Sequence, residues 1–453
     1  MQTMELRDKD VLVLGLGRSG MAAASLLRRD GARVVVRDEA TDDLLQERAV
    51  RLRQLGVRVE LGTHYDHSAH FDLAVLSPGI APERAIVREV LIQRTPLLSE
   101  LELAYRHCLC PIVAITGTNG KTTTTELIAA MLTGCGKRTA AAGNIGHAFS
   151  DAVEGSAGLD ALVLEVSSFQ LEKIEQFRAN ISVLLNITPD HLDRYESMDE
   201  YAAAKAFVLL NQQPEDTAII SVEALKWLRR MCLPIRARPI TFSAYNQPAD
   251  LWLDPSDNDT IWSRLPECHG ILMRLSETNL RGRHNAENVL ATLATGLAME
   301  LPVPRMREAI CSYCPQPHRC EFVAEINGVT YINDSKATNV DAVEKALRSL
   351  PGRSVLIAGG RDKGLDFASL RQVIAEKVTL AVLIGEAQNK MWRAWSRAVP
   401  CVRAFSMEEA VRVAASHARR DETVLLSPAC ASFDMFENYE HRGDEFKRHV
   451  FNL

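Results

Sequence analysis

The chain alternates short apolar runs with amphipathic segments, which is the pattern of parallel strands joined by crossover helices. In its first part, apolar runs that predict strands occur at Val11–Leu14, Ala32–Val36, Val57–Glu60 and Leu73–Leu76. The segment Met21–Arg29 has apolar residues at helical spacing. We therefore expect a small parallel sheet with covering helices at the start of the chain.

The same alternation continues through two further units, so the pattern and the length together predict an α/β protein of three domains. Further strands are expected at Ile112–Thr116, Leu162–Val166, Ile181–Asn186, Ala218–Val222, Val329–Asn333, Ser354–Ala358, Leu380–Ile384 and Thr423–Leu426. The predicted domains are residues 1–105, 106–314 and 315–453, with Pro315–Pro317 as the second linker.

One part of the middle unit departs from this alternation. Between about Pro234 and Leu280, short extended pieces separated by turn residues predict a small β-rich portion. A helix is expected next, from Ala286 to Met299, with Asn285 or His284 as its N-cap. The middle unit should thus combine a parallel sheet with this β-rich addition.

The composition changes this picture little but argues against several classes of protein. The 453 residues are 47% hydrophobic and 24% charged, as in ordinary globular proteins, and the net charge of −6 gives no basic surface for nucleic acid. No apolar stretch is long enough to span a bilayer, and the N-terminus lacks the apolar core of a signal peptide. The ten cysteines include one C-x-x-C pair, Cys311 and Cys314, without the second pair of a zinc site. We expect a cytoplasmic monomer with reduced thiols, no nucleic-acid partner and no membrane insertion.

The strongest candidate chemistry is a phosphate-binding loop, Gly117-Thr-Asn-Gly-Lys-Thr122, between a predicted strand and a predicted helix. Its glycines allow close approach of an anion, and the N–H groups at a helix N-terminus attract it. Lys121 is placed to reach the outer phosphates, and Thr122 to offer a hydroxyl to Mg²⁺. The match to G-x-x-x-x-G-K-[ST] is incomplete, because Ile115 occupies the first glycine position. An ordinary strand-to-helix turn is the alternative.

A second glycine motif, Gly15-Leu-Gly-Arg-Ser-Gly20, follows the first strand, and Asp38 lies at the end of the next one. This is the arrangement of a dinucleotide-binding turn, with the aspartate placed to hold a ribose hydroxyl. A nicotinamide-dependent dehydrogenase is therefore one hypothesis, and a purely structural turn is another. The separate phosphate loop argues against the dehydrogenase, because hydride transfer has no use for it. The same turn would hold the diphosphate and ribose of any nucleotide carrier.

Both loops belong to a longer series of short motifs that runs along the whole chain. The others are Ser77-Pro-Gly79, Ser99-Glu-Leu-Glu102, Gly143-Asn-Ile-Gly146, Glu165–Glu172, Asn186–Tyr195, Gly282-Arg-His-Asn285, Pro317-His-Arg319, Asn333–Thr338, Gly359-Gly360 with Asp362-Lys-Gly364, and Leu426–Ser432. Each motif alone is weak, but their joint occurrence in this order is specific. In this series the chain resembles the Mur ligases of bacterial peptidoglycan synthesis, most closely the branch that adds D-glutamate.

The resemblance implies a Rossmann-like N-terminal domain for a UDP carrier, a central ATPase domain and a Rossmann-like C-terminal domain that binds the amino acid. It also implies a reaction. ATP phosphorylates the alanyl carboxylate of UDP-N-acetylmuramoyl-L-alanine, D-glutamate attacks the acyl phosphate, and ADP and phosphate are released. Two Mg²⁺ ions are implied beside the ATP. The ligase would belong to cell-wall synthesis, and so to cell shape and cell division.

The resemblance also assigns catalytic and metal-binding roles. Lys121, His191 and Lys205 are implied to be catalytic, and the implied metal ligands are Thr122, Glu165, His191 and Lys205, the lysine as a carbamate. From the residues themselves, Glu165 at the end of an apolar strand suits a hard cation. Taken alone, His191 is more typical of a structural histidine, and Lys205 of an exposed helical lysine.

Three sets of binding residues follow from the same comparison. ATP is assigned to Gly117, Thr118, Asn119, Gly120, Lys121, Thr122, Thr123, Asn285, Arg319 and Asp334. The UDP substrate is assigned to Gly15, Leu16, Gly17, Arg18, Ser19, Asp38, Gly79, Asn144 and His191. D-Glutamate is assigned to Lys336, Thr338, Lys363, Ser432 and Tyr439. Tyr439 stands where the family pattern leads us to expect phenylalanine.

Other functions stay open at this point. Related ligases add L-alanine or a diamino acid to the UDP carrier, or glutamates to folate. The diamino-acid enzymes are expected to carry an Asn-Pro-Arg signature in the third domain, which this sequence lacks. The folate enzymes are not expected to have the motif Gly15–Gly20, and the alanine-adding enzyme should have a histidine-rich start before its glycines. A nucleotide-binding module without catalysis is a further alternative.

Overall fold

The computed structural model describes residues 5–62, 69–81, 83–192, 194–280, 282–314, 317–350 and 352–453. These residues form three β-sheets, each flanked by helices. The predicted linker residue Pro315 and Asp193 of the Asn186–Tyr195 motif lie outside the described residues.

The first sheet is wholly parallel, with five strands in the order β3-β2-β1-β4-β5. Its strands are β1 (Asp10–Leu14), β2 (Arg33–Asp38), β3 (Arg58–Leu61), β4 (Leu73–Leu76) and β5 (Leu97–Ser99). Its helices are α1 (Arg18–Arg29), α2 (Asp43–Gln54), α3 (Ala85–Ile92) and α4 (Glu100–Tyr105). Strand order reverses between β1 and β4, and open α/β sheets bind ligands at such a switch point.

The central sheet has nine strands in the order β14-β13-β12-β11-β10-β9-β6-β8-β7. They are β6 (Ile112–Thr116), β7 (Thr139–Gly143), β8 (Ala161–Glu165), β9 (Ile181–Leu184), β10 (Thr217–Ser221), β11 (Arg238–Ser243), β12 (Leu251–Leu253), β13 (Thr260–Leu265) and β14 (Cys268–Arg274). The helices are α5 (Lys121–Gly134), α6 (Phe149–Ala152), α7 (Ser168–Leu171), α8 (Met198–Ala206), α9 (Val222–Arg230), α10 (Arg283–Ala298) and α11 (Val303–Ser312). Strand β12 pairs parallel with β11 and antiparallel with β13, and β13 pairs antiparallel with β14. The predicted β-rich portion therefore extends the parallel sheet with antiparallel strands.

The third sheet has six strands in the order β15-β16-β20-β17-β18-β19, all parallel except the edge strand β15. They are β15 (Glu321–Ile326), β16 (Val329–Asn333), β17 (Ser354–Gly359), β18 (Val378–Ile384), β19 (Cys401–Arg403) and β20 (Thr423–Leu426). The helices are α12 (Val340–Ser349), α13 (Arg371–Lys377), α14 (Gln388–Trp395), α15 (Met407–His417) and α16 (Tyr439–Phe451). The predicted three-domain α/β fold is therefore confirmed.

The predicted N-cap of α10 is wrong. The helix begins at Arg283 and its N-cap is Gly282, so neither His284 nor Asn285 caps it. Gly282 has a φ of 83°, a left-handed conformation that glycine adopts without strain. The polar residues after it lie inside the first turn and point to other partners.

The first two domains share a hydrophobic cluster, whereas the third domain has clusters of its own. Buried residues of the first sheet and of one face of the central sheet form a single hydrophobic cluster that runs from Leu6 to Ala237. The third sheet has two clusters of its own, one containing Trp395 and the other Phe446. Hydrogen bonds between polar side chains join this third domain to the phosphate loop. None of the described helices is long and apolar enough to cross a membrane.

Candidate active site

The phosphate loop follows β6 at the carboxyl end of the central sheet, and α5 begins at Lys121. Gly120 has a φ of 83°, and a Cβ there would lie 2.4 Å from Oδ1 of Asn288. At Gly117, a Cβ would lie 2.9 Å from the side chain of Leu185. Both positions require glycine because the loop is pressed against its neighbours, as expected of backbone shaped to surround an anion.

Lys121 folds back over this loop. Its Nζ donates to the carbonyl oxygens of Gly117 and Thr118, each at 2.8 Å. Burial lowers the pKa of Lys121, while the carboxylates of Glu165 and Asp190 oppose that shift. The ammonium group is therefore held within the loop by groups that a phosphate oxygen can replace.

Glu165, at the end of β8, connects the loop helix to the segment after β7. Thr122 Oγ1 donates to one of its carboxylate oxygens at 2.6 Å, and Asn144 Nδ2 donates to the other at 2.8 Å. The side chain is only 2% exposed. A hydroxyl and a carboxylate beside a phosphate loop are the hard oxygen donors that Mg²⁺ prefers, so these two residues fit the ion. Within the described ranges, no cluster of three or more His, Cys, Asp and Glu residues is placed to hold a metal.

Lys205 is on α8 as predicted, but the interpretation of an exposed lysine is wrong. It is 2% exposed, and its Nζ donates to Gly117 O at 2.9 Å, the carbonyl that Lys121 also contacts. Burial and the nearby Lys121 lower the pKa of Lys205 well below its ordinary value. The Lys205 Nζ also lies 4.5 Å from the centre of the Tyr201 ring. Tertiary packing, which the helix pattern does not record, places this amine at the loop.

His191 lies in the loop after β9, with a left-handed φ of 55°. Its ring packs edge-on against Phe169, with centroids 4.8 Å apart, and its Nε2 lies 3.8 Å from the carboxylate of Asp190. Burial lowers the pKa of His191, with Asp190 opposing and Lys363 adding to the shift. Burial therefore favours the neutral form of the imidazole.

A cavity between α10 and α12 brings the central and third domains together; we call it the α10–α12 cavity. It is lined by Asn119, Gly120, Thr123, Asn186, Leu280, His284, Asn285, Glu287, Asn288, Arg319, Cys320, Asp334, Lys336, Ala337, Ala342, Lys345 and Ala346. Four of the predicted nucleotide residues outside the glycine-lysine core meet here: Thr123, Asn285, Arg319 and Asp334. Asp334 accepts from Ser427 Oγ at 2.9 Å and from the Cys320 amide at 3.2 Å, and burial raises its pKa to about 6.

Four polar residues that the sequence reasoning did not pair form a clasp between the third domain and the loop; we call Asn119, Asp190, Asn339 and Asp341 the Asn339 clasp. Asn339 Nδ2 donates to Asp190 at 3.0 Å and to Asn119 Oδ1 at 3.2 Å. Asn119 in turn donates to Asp341. The only signal in the sequence was Asn339 as an N-cap before a helix pattern, and it does accept from the Ala342 amide at 2.9 Å.

A second cavity is bounded by all three domains; we call it the three-domain cleft. Its lining residues are Arg18, Thr122, Glu126, Asn144, Ile145, Gly146, Pro317, His318, Arg319, Lys336, Tyr439 and Glu440. Arg18 bridges the first two domains, with Nη1 3.0 Å from Gly146 O. From the third domain, Lys336 Nζ lies 3.6 Å from the centre of the Tyr439 ring, a contact that phenylalanine would also offer. Burial, together with Arg319, lowers the pKa of Lys336 to about 8.

In the first domain the glycine motif forms the predicted tight turn. A Cβ on Gly20 would lie 1.9 Å from Gly15 O, so α1 approaches β1 as only glycine permits. Asp38 accepts from the Leu16 amide at 2.7 Å and from the Ala40 amide at 3.0 Å, which fixes the turn against β2. The neighbouring Arg37, buried and paired with Glu60 at 2.7 Å, was missed from the sequence.

The remaining predicted residues of the D-glutamate and UDP-substrate sets line neither the α10–α12 cavity nor the three-domain cleft. Lys363 Nζ is 3.9 Å from Asp190, Thr338 directly precedes the clasp residue Asn339, and Ser432 is buried near the end of β20. Gly79 is exposed, and Gly17 and Ser19 are half-buried in the glycine turn. Like Arg37, the buried cation Arg442 was not anticipated: it donates to Ser335 and Cys430 and ties α16 to the loop after β16.

Three family models together match most of the chain. They are described as the Mur ligase MurD-like N-terminal domain at residues 9–99, the Mur ligase middle domain at 115–296, and the Mur ligase glutamate ligase domain at 318–430. The protein is a three-domain, ATP-dependent ligase that forms a peptide bond. The chain belongs to the Mur ligase family.

Among curated relatives, a UDP-N-acetylmuramoylalanine--D-glutamate ligase of Koribacter versatilis is 39% identical, covering 99% of this chain and 98% of the relative. The protein of the same name from Acidobacterium capsulatum is 41% identical, covering 98% and 96%. Among solved structures, Thermotoga maritima MurF ligase in complex with ADP has a TM-score of 0.64 at 16% identity, covering 99% and 96%. Thermotoga maritima UDP-N-acetylmuramate-alanine ligase MurC has a TM-score of 0.63 at 16% identity, covering 98% and 99%. The structural likenesses show the fold.

Proposed function

We propose that this protein is the ATP-dependent ligase that joins D-glutamate to UDP-N-acetylmuramoyl-L-alanine through an acyl phosphate. The observation that carries the proposal is the three-domain cleft, where Arg18 of the first domain, Thr122 of the phosphate loop and Lys336 of the third domain line one space. The reaction requires the two substrates that are joined and the ATP that is cleaved to meet in one common space. The full-length relatives named as D-glutamate ligases support this member of the family.

Each domain takes one substrate in this proposal. Residues 1–105 bind the UDP carrier at the Gly15–Gly20 turn, with Arg18 and Asn144 directing its acyl end towards the cleft. Residues 106–314 bind ATP on the phosphate loop. Residues 315–453 bind D-glutamate, for which the cations Lys336 and Lys363 suit the two carboxylates.

The first step brings two anions together. The γ-phosphate and the alanyl carboxylate, at about 4 Å and an effective dielectric of 20, repel each other by about 4 kcal/mol. Lys121 offsets this repulsion by exchanging its contacts with the loop carbonyls for phosphate oxygens. When Mg²⁺ is bound at Thr122 and Glu165, it supplies further neutralisation of the phosphate oxygens. We propose two such ions, with His191 and Lys205 beside the second.

The bond changes follow from this placement. A carboxylate oxygen of the alanyl group attacks the γ-phosphorus, ADP leaves, and the acyl phosphate forms. The amine of D-glutamate, having lost a proton, then attacks the acyl carbon. The tetrahedral intermediate expels inorganic phosphate and leaves the amide. The neutral imidazole of His191 is suited to accept a proton near this site.

Lys205 has an environment that suits carbamylation. Only a neutral amine adds to CO₂, and burial beside Lys121 favours the neutral form of Lys205. The product is an anion, which would relieve the repulsion between the two lysines and offer oxygen ligands to Mg²⁺. We therefore propose that Lys205 acts as a carbamate.

Replacing Lys363 with alanine is expected to raise the KM for D-glutamate about 10–100-fold, because one charge-assisted hydrogen bond of about 1.5–3 kcal/mol is lost. The KM for ATP should stay the same. Lys390 pairs with Asp362 at the surface, so Lys390→Ala is a matched control in the same domain. Steady-state assays of phosphate release at varied D-glutamate measure this, and an unaltered KM removes Lys363 from the pocket.

The Asn339 clasp should hold the third domain in its catalytic position. Asn339→Ser keeps an oxygen for the helix cap but removes the two donated hydrogen bonds, so we expect the KM for ATP to rise about tenfold. Arg348→Ala, at the far end of α12, is the control. Small-angle scattering should show a larger radius of gyration for the serine variant with ATP bound. Unchanged kinetics and radius would remove the clasp from the closure of the enzyme.

The experiment that tests the proposal is a screen of amino acids for ATP-dependent phosphate release in the presence of UDP-N-acetylmuramoyl-L-alanine. D-Glutamate should give the highest kcat/KM, with L-glutamate, L-alanine and diamino acids far behind. Turnover of NADPH followed at 340 nm, without phosphate release, would support the dehydrogenase hypothesis instead. Oxygen-18 placed in the alanyl carboxylate should appear in the released phosphate.

A further inference from the structure

A buried carboxyl group that has no role in the steps above lies in the α10–α12 cavity. Glu287 is on α10, is 5% exposed and lines the cavity. Among the described residues, no side chain or amide donates a hydrogen bond to its carboxyl group. An unpaired buried carboxyl is costly, so its place beside an open cavity points to a ligand group that pairs with it.

The cavity extends away from the phosphate loop towards α12. The next residue, Asn288, is tied to the loop helix, since Thr124 Oγ1 donates to it at 3.1 Å. Beyond Glu287 the walls include Leu280, Ala342 and Ala346, small or apolar residues that suit a flat ring. With phosphates on the loop and a ribose near Asp334, the base of a nucleotide would extend along these walls.

Several charged and titratable groups face Glu287 from the elements packed against it. On α12, Lys345 and Asp341 pair with each other at 3.0 Å. Glu223 is on α9, and His284 precedes Glu287 by about one turn of α10. Tyr245, just after the end of β11, also interacts electrostatically with Glu287. Burial raises the pKa of Glu287 to about 7, with Lys345 opposing the shift and Asp341 and Glu223 adding to it. The neutral and ionised forms are thus both populated near neutral pH.

We propose that Glu287, as a neutral carboxylic acid, forms hydrogen bonds with the edge of adenine and so selects ATP as the nucleotide. A neutral carboxyl group presents one acceptor beside one donor, and adenine presents its amino group beside a ring nitrogen that accepts. The two match as an amide side chain matches adenine. The inference rests on the proposed function, in which ATP binds on the phosphate loop, and on the lining of this cavity by the predicted nucleotide residues Asn285, Arg319 and Asp334.

The ionised form has the opposite preference. A carboxylate accepts only, so it keeps one contact to the adenine amino group and repels the ring nitrogen. Guanine, with donors on its ring N–H and its amino group, pairs with a carboxylate twice. Adenine recognition is therefore present below the pKa of Glu287 and lost as the pH rises through it, while binding of guanine nucleotides improves.

The test measures binding of ADP and GDP by calorimetry at pH 6 and pH 8.5 in the full-length protein. For Glu287→Gln, whose amide imitates the neutral acid, ADP affinity should be about tenfold less sensitive to pH than in the unaltered protein. Glu287→Met should bind ADP about tenfold more weakly at pH 6. Other titrating groups, such as Asp334, Lys336 and the phosphates, are common to all variants, so the difference isolates position 287.

Glu223→Gln removes a charge that adds to the raised pKa of Glu287 without altering the cavity wall, so it should keep the pH dependence of ADP binding but move it to lower pH. The ratio of GDP to ADP affinity should rise with pH only where Glu287 is present. Identical pH profiles for the unaltered protein and Glu287→Gln would overturn the inference while leaving the ligase proposal intact. Failure of the unaltered protein to bind ADP at all would instead contradict the ligase proposal.

Discussion

Replacing Lys121 with alanine is expected to lower kcat about 1000-fold, the cost of losing one preorganised cationic donor to a transferring group. Its Nζ sits 2.8 Å from two loop carbonyls and is the cation within the loop that can follow the γ-phosphate through the reaction. Phosphate release at saturating substrates measures the loss.

Binding of the UDP substrate should survive this change, because the glycine turn of the first domain does not include Lys121. Calorimetry with UDP-N-acetylmuramoyl-L-alanine checks this division of labour. Lys137, half-buried just beyond the end of α5, gives a matched lysine control as Lys137→Ala. Loss of UDP-substrate binding in Lys121→Ala alone would contradict the assignment of substrates to domains.

Replacing Glu165 with alanine should reduce kcat by about two to three orders of magnitude. The carboxylate accepts from Thr122 and Asn144, so its removal also frees the side chain of the proposed metal ligand and that of a cleft residue. The metal role and the positioning role can be separated by titration with Mg²⁺.

For Glu165→Gln, which keeps the shape but loses the charge, the Mg²⁺ concentration for half-maximal rate should rise at least tenfold. A positioning role alone predicts a lower kcat with the same Mg²⁺ requirement. Glu172→Gln changes another carboxylate in the same segment, one that pairs with Arg194 at 2.7 Å, and serves as the control. An unaltered Mg²⁺ requirement in Glu165→Gln would remove Glu165 from the metal site.

The strands that the sequence predicted well are those with continuous apolar runs. Ile112–Thr116 was predicted with its observed bounds because a parallel strand buried on both faces requires apolar and β-branched residues throughout. Val329–Asn333 was also predicted with its observed bounds, but its buried and half-buried positions alternate, and its β-branched and aromatic residues indicated the strand. Strand β7 was missed since its sequence, Thr-Ala-Ala-Ala-Gly, carries little strand preference. Strand β19 has only three residues. Its place in the sheet is set by pairing with β18, which periodicity does not show.

The backbone shape of the loop Gly117–Thr122 could be predicted because it depends on residues close in the sequence. Gly117, Gly120 and Lys121 are close together in the sequence. At both glycines the structure has a positive φ and no room for a Cβ, as expected. The buried state of Lys205 could not be predicted in this way, because three small alanines before it suit either a solvent-exposed or a packed helix face. Only the approach of Gly117, 88 residues earlier, decides between them.

The contacts between domains were the least predictable part of the site. Asn339 and Asp190 are 149 residues apart, and neither has an unusual local pattern beyond a helix cap and a turn. The burial of Glu287 depends likewise on α12 lying against α10. Such features follow from how the third domain sits on the second, and a single sequence contains no periodic signal for it.

The clasp attaches the third domain to Asn119, a residue of the loop that would hold the phosphates. Because coupling free energies are reciprocal, nucleotide occupancy and docking of that domain must strengthen each other by the same factor. A small compound wedged behind Asn339 would therefore behave as a competitor of ATP without overlapping it. Inhibitors of that kind would bind without using the nucleotide contacts that many unrelated enzymes share.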